Sequence, residues 1–220
     1  MSKRKNGNSL VEPTGYLSRS ACEEFLVQLY FGAGRNYVRM CIDRAYLDFN
    51  RTLHGFGSHE HAVTVRDSAA GKLMAALGKL QSSDASSQTS FNIWHKLTCA
   101  ELRAHFRDAG FRSFTFGQAQ KWVNMTLKYV FVVGEARVSG LGKALQFAHV
   151  PVDNIVLSAW GGRGMPTLDV AWSRMDDYSD YAKLQEWIRK KFRPRTPLEA
   201  EFGDWLDARK HVIDIAPGKA

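Results

Sequence analysis

Residues 116–134, FGQAQKWVNMTLKYVFVVG, set the tightest limit on what this chain can fold into. Trp122, Val123, Met125, Leu127, Tyr129, Val130 and Phe131 occupy much of the circumference of a helix here, the pattern of a helix that is buried. The same stretch carries Lys121 and Lys128. At about 100° per residue, seven residues return to nearly the same face, so both ammonium groups project the same way.

A buried lysine costs free energy unless it is paired, and desolvation favours its neutral, nucleophilic form. Lys121 lies a few residues after Gly117, near the positive end of the helix dipole, which acts in the same direction. The alternative is that both lysines reach water along a solvated stripe.

The rest of the chain is helical in its periodicity. Residues from about Ser20 to Asn50 read as one or two helices, with a break at FGAGRN. EHAVTVRDSAAGKLMAALGKLQ gives another helix, and the polar run 82–90 reads as a loop. A short helix, then a longer one starting near Thr98, is expected next. Thr98 with Glu101 matches a capping box, and Gly110 is placed to end that helix. FRSFTFG then leads into the 116–134 helix. Pro151 suits the first turn of a later helix, and the last two helices are DYSDYAKLQEWIRKKFR and TPLEAEFGDWLDARKH. Alternating strand patterns and internal repeats are absent. The expected architecture is all-α: a basic flexible tail at 1–19, then one helical domain over 20–220.

With 220 residues and 45% hydrophobic composition, the chain can bury a substantial core. A formal charge of +8 favours a polyanionic partner such as nucleic acid, or marks a merely basic soluble protein. Cys22, Cys41 and Cys99 are odd in number and form no CxxC pair, so a reducing cytoplasm is the default. The basic N-terminal stretch has no apolar region behind it, and no run approaches the roughly 18 residues of a membrane span. His54, His59 and His61 lack a metal-binding spacing, so no metal or cofactor is expected.

Asp153, in HVPVDNIVLSAW, is the only acid between Glu135 and Asp169. It either caps a helix or partners a lysine or a cationic intermediate.

Gly117 and Lys121 after a tight helix-turn-helix, followed by Pro151, Val152 and Asp153 opening a later helix, resemble the helix-hairpin-helix DNA glycosylases. The long segment between Lys121 and Asp153, with Lys128 seven residues after the first lysine, is most similar to the archaeal 8-oxoguanine glycosylase branch. The resemblance spans about residues 98–205, with the helix-hairpin-helix element at about 98–134. The connection lacks the usual Gly-x-Gly turn, and no iron–sulfur cysteine set is present.

The resemblance implies an enzyme that flips a damaged or modified base, 8-oxoguanine-like, out of double-stranded DNA. Lys121 would attack the sugar C1′ and Asp153 would stabilise the developing positive charge. The resulting Schiff base permits strand cleavage by β-elimination. Lys128, Met125, Gln28, Trp160, Glu201 and Trp205 would line the base pocket, with Trp172 a further stacking candidate. Arg112, Ser113, Thr115, Gln118 and Gln120 would contact DNA. The expected protein is a monomer in the cytoplasm, at the nucleoid, acting in base excision repair. A non-catalytic DNA-binding module of the same fold, or a glycosylase acting on modified viral bases in antiviral defence, stands beside this reading.

Overall fold

A computed structural model describes residues 17–34, 36–82 and 87–214, with 208–214 described by backbone alone. The expected tail at 1–19 lies almost entirely outside the described residues. Contacts divide the chain into two units, 1–34 and 35–220.

The first unit holds α1, Arg19–Phe31, which is capped by Ser18 accepting from the Ala21 N–H at 3.1 Å. It ends at Gly32, whose φ of 89° lies in the left-handed region that glycine tolerates.

The second unit is helical throughout, with no strand among its described residues. Its helices are α2 (Tyr37–Phe49), α3 (Ala62–Ser82), α4 (Gln88–Asp108), α5 (Phe116–Val133), α6 (Gly142–Leu145), α7 (Asn154–Gly161), α8 (Tyr178–Lys191) and α9 (Pro197–Asp214). None is long and apolar enough to cross a membrane.

The core forms around α5, as its composition requires. From Phe116 to Leu127 every residue of this helix is buried. α2 and α4 pack against it. Trp122 donates its indole N–H to the Ile42 carbonyl of α2 at 2.9 Å, and its ring meets Phe49 at 5.6 Å. Phe106 of α4 stacks on Phe114 at 4.0 Å, which pins the connection between α4 and α5 to the core.

α4 begins ten residues earlier than the sequence reading placed its long helix. The cap is Ser87, whose hydroxyl accepts from the Ser90 N–H while Ser90 bonds back to the Ser87 N–H. Thr98 starts nothing: its hydroxyl donates to the Trp94 carbonyl one turn back, at 2.9 Å. Glu101 pairs with Lys72 of α3 instead.

The end of α4 matches expectation. Gly110 has φ of 94°, its N–H bonds to the Arg107 carbonyl, and the Phe111 N–H bonds to the Phe106 carbonyl, the two bonds of a Schellman stop. Thr115 and Gln118 then form a second capping box that starts α5. Pro151 does not sit in the first turn of α7. It lies two residues before the cap, which is Asp153.

Candidate active site

Lys121 and Asp153 are brought together from α5 and the start of α7. The Lys121 Nζ lies 2.5 Å from the Asp153 Oδ2, with side chains 5% and 17% exposed. The second carboxylate oxygen, Oδ1, accepts the Val156 N–H at 3.0 Å. Both alternatives for Asp153 therefore hold at once: one oxygen caps α7 and the other faces the lysine. The cap fixes the carboxylate orientation, because an N-cap side chain must aim at the free N–H groups of its own helix.

Two turns along the same face of α5, the Lys128 Nζ lies 2.6 Å from the Glu201 Oε1 of α9. Its ammonium also stands 5.1 Å from the Phe202 ring centre. The other Glu201 oxygen, Oε2, is buried and has no hydrogen-bond partner. A buried carboxylate oxygen without a donor is costly, and a ligand N–H would relieve it. Met125, buried, lies between the two lysines on this face of α5.

The walls carrying the acids are tied to each other. Trp160 of α7 donates its indole N–H to the Asp204 Oδ2 of α9 at 2.8 Å, and Arg163 pairs with the same carboxylate. Trp160 is thus a core side chain, packed on Phe192 at 4.6 Å, and not a stacking platform for a base. Trp172 is also buried. Its carbonyl oxygen would lie 1.8 Å from a Cβ placed at Gly117, so only glycine fits where the 172–174 turn crosses α5. Trp205, one turn after Glu201, is 37% exposed.

Arg112 and Ser113 are exposed on the connection between α4 and α5. Three other residues expected at the DNA are engaged by the fold. Thr115 caps α5 and donates its hydroxyl to the Ser173 carbonyl at 2.8 Å. Gln118 donates to the Thr52 carbonyl at 2.9 Å and accepts from the Thr115 N–H. Gln120 is fully buried. The glutamines' expected contact with DNA is therefore corrected: their amides are satisfied inside the protein. Gln28 belongs to the first unit, where it donates to Glu24 and accepts from the Gly34 N–H.

Behind the site lies a buried polar network that the sequence reading did not assemble. Asn124 Oδ1 contacts His95 Nε2 at 3.0 Å, and Asn124 Nδ2 donates to the Tyr181 hydroxyl at 2.7 Å. The Tyr181 hydroxyl meets His149 Nδ1 at 2.8 Å, and His149 Nε2 meets Asn92 Oδ1 at 2.9 Å. One proton arrangement satisfies these contacts. Each imidazole carries its proton on Nε2 and gives it to an amide oxygen, while Tyr181 gives its hydroxyl proton to His149 Nδ1. Burial supports this neutral state, lowering His95 to about 3 and holding His149 well below the usual range. The pairing of polar residues Gln120 and Asn124 at i, i+4 on a largely apolar helix was the available signal.

Comparison with protein-family models, with curated proteins and with solved structures finds no match to the chain.

Proposed function

We propose that the protein is a DNA N-glycosylase with AP-lyase activity, in which α4, its connection and α5 act as the DNA-gripping hairpin. The observation that carries this reading is the 2.5 Å contact between Lys121 and Asp153, set at the starts of two different helices. The substrate is double-stranded DNA with an extruded purine-like base of the 8-oxoguanine type. In the reaction, the Lys121 ammonium passes a proton to the Asp153 carboxylate. Its nitrogen then forms a bond to C1′ as the C1′–base bond breaks. The base leaves with the bonding pair and takes up the proton held by Asp153, which restores the carboxylate. Asp153 stabilises the positive charge that builds on the sugar. The bound nitrogen then passes a proton to the ring oxygen as the C1′–O4′ bond breaks, giving a protonated Schiff base, and removal of a C2′ proton expels the 3′ phosphate by β-elimination and cuts the strand.

Lys128 and Glu201 form the base-facing end of the site. The unpartnered Oε2 of Glu201 accepts an N–H of the extruded base. Trp205 stacks on it, a contact worth on the order of 1–3 kcal/mol.

A second reading, a DNA-binding module without catalysis, is favoured by the 5% exposure of the Lys121 side chain. One experiment separates them: mixing the protein with a duplex carrying 8-oxoguanine or an abasic site, and adding borohydride. A covalent adduct that Lys121→Ala abolishes supports the enzyme. Salt-sensitive binding with no adduct and no base release, on these or on other modified bases, supports the module.

A further inference from the structure

Residues 150–152 are buried and lie outside any helix, with no strand among the described residues to pair with. The backbone N–H and C=O groups of Val150 and Val152 are bonded by side-chain amides. Gln185 accepts the Val150 N–H at 3.0 Å and donates to the Val150 carbonyl at 2.8 Å. Gln120 accepts the Val152 N–H at 3.2 Å and donates to the Val152 carbonyl at 2.9 Å. Pro151 has no N–H to satisfy.

The Gln120–Val152 pair is reciprocal, so it fixes both the height and the rotation of the segment against α5. Gln120 immediately precedes Lys121, and Val152 immediately precedes Asp153. Gln120 itself has one orientation. Its amide also donates to the Gly117 carbonyl at 3.0 Å and accepts from Asn124 Nδ2 at 3.0 Å, which fills its two donor and two acceptor positions.

From this geometry, and resting on the glycosylase reading for its catalytic consequence, we infer that Gln120 is the positioning residue that sets the Lys121–Asp153 contact. The amide pair acts one residue upstream of each reacting group, so a loosened pair moves the carboxylate away from the amine while leaving both groups chemically intact.

The test uses Gln120→Met, which removes both bonds, and Gln120→Glu, which keeps the acceptor and loses the donor. Two readouts are taken on each folded variant. The first is the rate of competitive acylation of Lys121 at one fixed pH on free protein. The second is the single-turnover rate and apparent DNA affinity in borohydride trapping. Gln120→Met is expected to change the acylation rate to that of Asp153→Asn. It should also slow trapping on the order of 10²-fold with affinity within about twofold, as misplacement of a reacting group does. Gln120→Glu should fall between Gln120→Met and wild type, and decides the matter if Gln120→Met does not fold. A wild-type acylation rate in either folded variant overturns the inference. If wild-type protein traps no DNA at all, the glycosylase reading fails, and the acylation rates still decide what positions Lys121.

Discussion

Lys128 and Glu201 meet at 2.6 Å between α5 and α9, two turns along α5 from the contact between Lys121 and Asp153. Two lysines in register on a buried helix thus have two acids in register from other helices. One acid belongs to a helix cap, and the other keeps an oxygen unpartnered.

The Lys128–Glu201 pair should behave as a buried ion pair. Lys128→Met alone leaves Glu201 without its cation and should cost about 3 kcal/mol of stability. The double change Lys128→Met with Glu201→Leu should recover most of that loss. Urea unfolding of the two variants and wild type checks this. Equal losses in the single and double variants would count against it.

Gly117→Ala places a methyl group 1.8 Å from the Trp172 carbonyl oxygen, a backbone atom that cannot rotate aside. Overpacking of this kind should destabilise by about 3 kcal/mol. A thermal midpoint unchanged from wild type would show that the 172–174 turn lifts away freely.

Stability should decline in acid well before most carboxylates titrate. The unfolded chain takes up protons on His95 and His149 near pH ~6.5, whereas burial delays uptake in the folded chain, to about 3 for His95. The unfolded state therefore binds more protons across that window, and stability present above it is lost as pH falls through it. With both imidazoles contributing, the slope reaches about 3 kcal/mol per pH unit. Asp176 adds the same sign at lower pH. Burial pushes its carboxyl up, but bonds from Arg103, the Phe116 N–H and Arg107 outweigh this and hold it below its usual value. Urea midpoints measured from pH 8 to 4 should fall below about 6.5, and His149→Gln should cut the slope by about half. A flat profile above pH ~4.5 would contradict the neutral network.

Arg112 and Gln118 should separate in DNA binding. Arg112 is exposed, so Arg112→Ala should lower the slope of log K against log salt by about 0.9 for a lost phosphate contact. Gln118→Ala should leave that slope unchanged and destabilise the fold by about 1 kcal/mol through loss of the α5 capping box. Fluorescence anisotropy with a labelled duplex, at several salt concentrations, reads both.

Strong local signals in the sequence anticipated much of this. The apolar run at 116–134 required a buried helix, and Gly110 required a stop, both of which the structure bears out. The lysine spacing gave one face of α5, and the isolated acid at 153 suggested its partner. The start of α4 was hidden because its serine cap lies in a polar run that resembles a loop, while Thr98 with Glu101 imitates a cap inside the helix. Gln118 and Gln120 were read as DNA-facing because polar residues beside a candidate nucleophile look like site residues. Their partners, Thr52 and Val152, lie far away in sequence, and only the tertiary fold reveals them.

The segment at 150–152 borrows its hydrogen bonding from glutamine and asparagine side chains on α5 and α8 rather than from a neighbouring strand. Saturation mutagenesis should therefore give an inverted pattern. Val150 and Val152 should tolerate exchange for other apolar residues of similar bulk, since only their main-chain atoms are gripped. The three amides at 120, 124 and 185 should reject almost every replacement, although none of them is visible from outside the molecule.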